Sequence, residues 1–470
     1  MSESRDKRIE TDSLGEIAID SDRLWGAQSQ RSLKNFAIGD ARFPAHFIHD
    51  FARVKLAAAL ANNRLNNLDQ RRTRLIEQAC EEIIAGRHDD QFPLSIWQTG
   101  SGTQTNMNLN EVIANLGNRL AGNPPGSYQP LHPNDHVNRS QSSNDVFPTV
   151  MHMVSHRLTA ARLLPVLSGF QQVLADRERE FSAQLKSGRT HMMDATPVTL
   201  GQEFGAFRAQ IEFATSRIEA ALPALRQLAI GATAVGTGLN TPAGWAETVT
   251  ALISDLTGIN YQPAPDKFSQ LAAHDSLVCL HGQLKLLAVT LFKLASDIRL
   301  MGSGPRCGLA EISLPANEPG SSIMPGKVNP TQVEALTMVC LRVMGNDTTV
   351  SVAGSQGQFQ LNVYKPLIIS TIMESIQLLA DSVQSFNEHC VADITANQKQ
   401  LDRYTSRSLM LVTALSPHIG YDKAGQAAKY AHENDLTLRD AVIELSLLDA
   451  DDYDRLVRPE QMLGPDVGDD

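Results

Sequence analysis

"LVCLHGQLKLLAVTLFKLASDI", residues Leu277–Ile298, places apolar side chains at Leu277, Leu280, Leu284, Leu287, Leu291, Leu294 and Ile298. The steps alternate three and four, the period of a seam between packed helices. A second apolar set, Ala288, Val289, Phe292 and Ala295, runs beside that seam, so the spacing predicts a helix covered on more than one side. Four further long helices are expected around it, over Phe147–Leu185, Thr199–Leu228, Pro330–Met344 and Pro366–Cys390. At ~1.5 Å per residue a helix of roughly 30 residues spans about 45 Å, more than one compact domain needs. Long helices with wide apolar faces bury them against copies of themselves. The chain therefore reads as mainly α, an elongated helical bundle in an obligate homo-oligomer.

Strand signals are few, and neither a βαβ alternation nor an internal repeat is present. Residues 1–139 read as a mixed, mostly helical N-terminal domain and residues 140–392 as the central helical bundle. Residues 393–470 form a smaller helical domain that ends in an acidic tail, "GPDVGDD", expected to be mobile.

Composition narrows the partners. Among 470 residues, 41 Lys and Arg stand against 52 Asp and Glu, a formal charge of −11. Nucleic acid and anionic membrane surfaces both require accumulated positive charge, so neither is expected as a partner. An anionic small substrate stays open, provided positive charge and N–H donors are concentrated locally. The five cysteines (Cys80, Cys279, Cys307, Cys340, Cys390) are scattered singly, which suggests reduced thiols in a cytoplasmic setting and no cysteine-ligated zinc or iron–sulfur site. No apolar run is read as approaching the length of a membrane span. The opening "MSESRDKRIETDS" mixes acids with bases and lacks the apolar core of a signal peptide.

Between the helices lie four polar islands. "TGSGTQTNMNLNE" (Thr99–Glu111) clusters Ser101 and Thr103 with three asparagines around two glycines. "HPNDHVNRSQSSNDVFPT" (His132–Thr149) sets Ser142, Ser143 and Asn144 just ahead of a helix, and "GRTHMMDATP" (Gly188–Pro197) offers Thr190 and His191. The fourth, "GSSIMPGKVNP" (Gly320–Pro330), nearly spells a phosphate-binding loop. Five residues rather than four separate its glycines, Val328 replaces the hydroxyl after Lys327, and Pro325 removes an N–H. Any one island reads most simply as a helix N-cap or a turn. Four together resemble the lining of a site that holds a small oxygen-rich anion with many neutral hydrogen bonds and one lysine. His152 and His156, four apart on an expected helix, could form a metal pair. Lacking an intervening Glu or a third ligand, they read as structural.

These motifs resemble those of class II fumarate hydratases in the fumarase/aspartase superfamily. The resemblance rests on all four islands, on "SGRTHMMDATPVTLGQE", "ATAVGTGLNTP" and "SGPRCGLAEISLPANEPGSSIMPGKVNPTQVE", and on "SLMLVTALSPHIGYDKAGQAAKYAH" near the C-terminus. It extends from "LWGAQSQRS" (Leu24–Ser32) to "RPEQMLGP" (Arg458–Pro465). It implies three mainly helical domains with a central five-helix bundle, a twenty-helix core in a homotetramer, and active sites each assembled from three subunits.

The implied reaction is reversible hydration of fumarate to (S)-malate through an aci-carboxylate carbanion, with no metal or organic cofactor. By the same resemblance Ser321 is the base that takes the carbon-bound proton. Lys327 and Asn329 hold the carboxylate that accumulates charge. His191, oriented by Glu334, is the acid on the water side. Ser101, Thr103, Ser142, Ser143, Asn144 and Thr190 bind the substrate carboxylates. His132, Asn134 and Asp135 resemble an outer dicarboxylate site, although Gln129 stands where the family pattern has an arginine. Aspartate ammonia-lyase, spelled very similarly in the fourth island, and a non-catalytic structural protein on the same scaffold are the alternatives. Gly326 before Lys327, the complete "TGSGTQTNMN" and the "HPND" segment favour the hydratase.

Overall fold

A computed structural model describes residues 6–465, so most of the acidic tail lies outside the described residues. The chain is mostly helical. The nine helices used below are α1 (Ala45–Arg64), α2 (Gln70–Ile84), α3 (Thr103–Leu120), α4 (Ser143–Leu158), α5 (Leu164–Glu180), α6 (Leu200–Leu225), α7 (Asp275–Met301), α8 (Thr331–Gly354) and α9 (Lys365–His389).

The five expected long helices are all present, with shifted ends. The first starts four residues early at Ser143 and ends at Glu180. It passes through one π-helical turn, Thr159–Leu163, that separates α4 from α5. α8 runs on to Gly354, well past the expected Met344. Its second half, "MGNDTTVSVAG", is poor in strong helix formers, and packing rather than propensity carries it.

Every seam residue of α7 from Leu277 to Ile298 is fully buried. The second stripe divides: Ala288 and Ala295 are buried, whereas Val289 is 50% exposed. Two helices correct the membrane reading. Asp275–Met301 and Lys365–Asp393 have the length and mean hydropathy of a membrane span, although Lys285, Lys293 and Asp297 interrupt the apolar run in the former. Their apolar windows are 44% and 61% buried within the chain, as core helices require.

The chain divides into two compact units, and the boundary falls inside α6, α7, α8 and α9. Unit one comprises Met1–Leu164, Ser216–Leu286 and Arg342–Leu378. It opens with an antiparallel hairpin, β1 (Lys7–Asp12) against β2 (Gly15–Asp20). Its aromatic centre is Phe147 of α4, whose ring lies 5.9, 5.5 and 6.1 Å from those of Phe43, Phe47 and Phe51. Gly102 adjoins this centre at φ 76°, and a Cβ there would stand 2.2 Å from the Phe147 ring. Gly102→Ala therefore combines a left-handed backbone strain with overpacking, and is expected to cost about 2–4 kcal/mol. Urea unfolding measures it, and a change under 1 kcal/mol would contradict the assignment.

Unit two comprises Pro165–Thr215, Leu287–Leu341 and Leu379–Asp470. Its short C-terminal helices enclose a separate core of Leu411, Leu415, Ala427, Leu438, Val442 and Tyr453. The unit also carries a second hairpin, β3 (Leu185–Thr190) against β4 (Met193–Thr199), with a bulge at Gly188. The "GRTHMMDATP" island thus forms a hairpin tip, not a helix cap. Thr190 pairs with Met193, and the two residues between them, His191 and Met192, take φ values of 55° and 63°. A two-residue hairpin turn of type I′ needs positive φ at both positions and usually recruits Asn and Gly. His-Met carries no such signal, which is why the strands were not legible.

Candidate active site

In unit one, two helix N-termini converge. α3 begins at Thr103, immediately after left-handed Gly102, which offers no side-chain cap. α4 begins at Ser143 behind a capping box: the Ser142 hydroxyl accepts the Asn144 N–H at 3.2 Å, and the Asp145 carboxylate accepts the Ser142 N–H at 2.9 Å. Buried Asp145 also accepts the N–H groups of Gly231 and Thr233 at 3.1 and 2.8 Å, which ties down the "ATAVGTGLNTP" loop. Burial pushes its carboxyl up to about 7 against the pull of those donors. The Asn144 amide donates to the Ala234 carbonyl at 2.9 Å.

The hydroxyls at these two N-termini meet. Thr103 Oγ1 lies 2.7 Å from Ser101 Oγ and 2.7 Å from Ser143 Oγ. The positive dipole ends of both helices thus lie beside one another, an arrangement suited to a carboxylate. A cavity of about 480 Å³ opens there, lined by Thr103, Ser142 and Ser143 and also by Asn134 and Asp135. His132 caps the turn below, its Nδ1 accepting from the Asn134 and Asp135 N–H groups at 3.3 and 3.2 Å. The candidate outer-site residues therefore adjoin the main polar island.

In unit two, the β3–β4 tip exposes Thr190 and His191 to solvent. Beneath the tip lies a charge cluster. Glu311, fully buried, accepts from Arg189 Nη1 at 2.8 Å. Lys186 Nζ stands 3.3 Å from the other Glu311 oxygen, an ion pair too poorly aligned to count as a hydrogen bond, and donates to Glu203 at 2.7 Å. A cavity of about 460 Å³ beside the hairpin is lined by Lys186, Arg189 and Thr190 from one side and Lys293 and Asp297 from α7.

The fourth island folds as a closed loop. Gly320 N–H donates to the Lys327 carbonyl at 2.9 Å, Lys327 N–H to the Met324 carbonyl at 3.2 Å, and the Asn329 amide to the Gly320 carbonyl. Ser321 Oγ accepts the N–H groups of Ile323 and Met324 at 3.3 and 3.1 Å. Two donors aimed at one hydroxyl oxygen favour negative charge on that oxygen. Glu334 occupies the first turn of α8, 3.6 Å from Arg299 Nη2. Among the described residues no hydrogen bond or ion pair joins His191 to Glu334, Ser321 or Lys327 within the chain.

His152 behaves as the structural reading expects. It is buried, its Nδ1 lies 2.9 Å from the Gln227 carbonyl, and burial drops its pKa to about 4. Sequence reasoning overlooked Lys55, Asn138, Gln141, Arg189 and Glu311. One signal was available: Phe47, Phe51 and Lys55 recur every four residues, which places a lysine on the apolar stripe of α1.

A lyase family model matches residues 15–345, and a fumarase C C-terminal model matches residues 411–464. The chain is 58% identical to the class II fumarate hydratase of Thermosynechococcus vestitus, over 98% of each chain. It is 57% identical to class II fumarate hydratase 1 of Pseudomonas aeruginosa, over 97% of this chain and 98% of that one. Its structure is similar to the class II fumarase of Schistosoma mansoni, with a TM-score of 0.96 and 43% identity over 98% of this chain and 100% of that one. With the lyase model spanning most of its length and relatives this similar end to end, the chain belongs to the class II fumarate hydratase family.

Proposed function

We propose that the chain catalyses the reversible hydration of fumarate to (S)-malate. The observation that carries this reading is the meeting of Thr103 and Ser143 at 2.7 Å where two helix N-termini face one cavity. Such a place receives a carboxylate through neutral donors and backbone dipoles, with Arg139 also on the cavity wall.

In the dehydration direction Ser321, as alkoxide, removes the proton from the carbon beside the carboxylate. The Ile323 and Met324 N–H groups that point at its oxygen are what make that alkoxide tolerable. The electron pair spreads into the carboxylate held by Lys327 and Asn329, because stabilising developing charge carries most of such a barrier. The carbon–oxygen bond then breaks as His191 protonates the departing hydroxyl, releasing water and leaving fumarate. Ser101, Ser142, Asn144 and Thr190 complete the carboxylate contacts.

The fourth-island loop exposes Ile323 by 83%, together with Met324 and Val328. Closure of this loop over substrate would cover them and exclude water.

The working form in this reading is a cytoplasmic homotetramer whose sites are each built from three subunits. Exposed apolar side chains along the long helices, Phe213, Val289, Met338, Leu341 and Val352, support burial against further copies. That no hydrogen bond joins His191 to a side chain among the described residues supports a Glu334 partner supplied from another subunit. The three-domain division at residues 139 and 392 belongs to the same reading, as does an outer dicarboxylate site at His132, Asn134 and Asp135.

The test is a paired ultraviolet assay of fumarate release. Purified, metal-stripped protein is expected to produce fumarate from (S)-malate and none from L-aspartate. Release from aspartate alone would move the chain to ammonia-lyase chemistry, and release from neither would leave the structural-protein reading.

A further inference from the structure

Lys55 occupies the apolar stripe of α1, yet its ammonium is wholly buried. Nζ donates to Asn106 Oδ1 at 2.7 Å, Asn138 Oδ1 at 3.0 Å and Gln141 Oε1 at 3.0 Å. All three donors are therefore used, and all three acceptors are neutral amides. A methionine would fill the same volume without the desolvation cost of a buried ammonium, which runs to several kcal/mol. The three amides share one property: Asn106, Asn138 and Gln141 all line the cavity that also contains Thr103, Ser142 and Ser143.

They are also joined to one another. The Asn106 and Asn110 amides donate to Asn138 Oδ1 at 3.2 and 3.1 Å, and the Asn138 amide donates to the Gln141 carbonyl at 3.2 Å. Lys55 sits at the centre of this net and connects α1, α3 and the 133–141 turn.

We propose that Lys55 is a positioning residue for the substrate pocket. Its ammonium locks the amide floor of the cavity in one orientation and sets a positive charge behind a site for a dicarboxylate. This inference rests on the proposed dicarboxylate chemistry. The titratable groups that face Lys55 are Asp145 of α4 and Cys80 of α2, while α3 and the turn meet it with neutral amides. Burial lowers the Lys55 pKa from 10.5 to about 7, with Asp145 and Cys80 pulling the other way. Burial also pushes the Cys80 thiol far up, so it stays neutral. Loss of the Lys55 proton as pH rises through about 7 removes the buried positive charge and takes the donor from one of the three amide oxygens. Dicarboxylate binding is therefore expected to weaken from pH 6 to pH 9.

The test compares full-length wild type, Lys55→Met and Lys55→Arg. KM and kcat for (S)-malate, and Kd for succinate as a non-reacting four-carbon dicarboxylate, are measured from pH 6 to pH 9. Expected at pH 6.5 is a KM and Kd about tenfold higher in Lys55→Met, with kcat changed less than threefold. Lys55→Arg is expected to lie between that variant and wild type. The wild-type rise in Kd above pH 7 is expected to be flattened in Lys55→Met.

Equal Kd in wild type and Lys55→Met would overturn the inference. So would equal weakening in both variants, because Lys55→Arg keeps the charge that Lys55→Met removes. A wild-type Kd that is flat across the range overturns it even if neither variant folds. Wild type that binds succinate but does not turn over malate removes the hydratase reading alone, and wild type that binds no dicarboxylate removes both.

Discussion

Ser321→Ala is expected to reduce kcat for (S)-malate about a thousandfold or more while leaving KM, fold and assembly near wild type. A positioned general base contributes about 10²–10⁴ in rate. The hydroxyl carries little structure. Ser321 is half-buried on an exposed loop, and its oxygen only accepts the Ile323 and Met324 N–H groups. The loop is closed independently, through Gly320, Lys327 and Asn329. Turnover, thermal melting and gel filtration measured together check the prediction. A loss of less than tenfold would sink the role of Ser321 as base, and a lost oligomer would show that the loop also carries assembly.

A comparably large stability effect is expected from Glu311→Gln. The Glu311 carboxylate is the shared counter-charge of Arg189 and Lys186, and it is fully buried. Removing one partner of a buried ion pair leaves the others uncompensated, at a cost of about 3–5 kcal/mol. Lys186 retains Glu203 and Arg189 stacks on the Tyr404 ring, so the lower end of that range is expected. A functional loss should accompany it. Arg189 is two residues from His191, and the positive-φ turn at His191 and Met192 persists only where its surroundings hold it. Urea unfolding and kcat read the two effects. Unchanged kcat in the folded variant would mean that the cluster supports the fold without positioning the tip.

These two residues also mark how far the sequence could be read. Ser321 was found because its loop has a distinctive spelling, and chemical identity survives in a string of letters. Glu311 was missed because its meaning is Arg189, 122 positions earlier, and no local period encodes that pairing. Lys55 was half visible, since a lysine on an apolar stripe is anomalous, but its partners lie 51, 83 and 86 residues away.

By itself the sequence determined the helices and the chemistry available to them. The seam at Leu277, Leu280, Leu284, Leu287, Leu291, Leu294 and Ile298 is written in a period that backbone geometry imposes locally, and all seven positions are buried. The hydroxyls, lysine and histidine of the islands were legible as residue types that suit a small anion. Only the tertiary structure decided which of them meet. It set Thr103 against Ser143 across 40 residues, folded the His191 segment into a hairpin without its usual turn residues, and placed a buried ammonium under the pocket floor. Helix formation is a short-range preference summed along the chain. These contacts instead depend on packing and desolvation among distant segments, and those energies exist only once the segments are brought together.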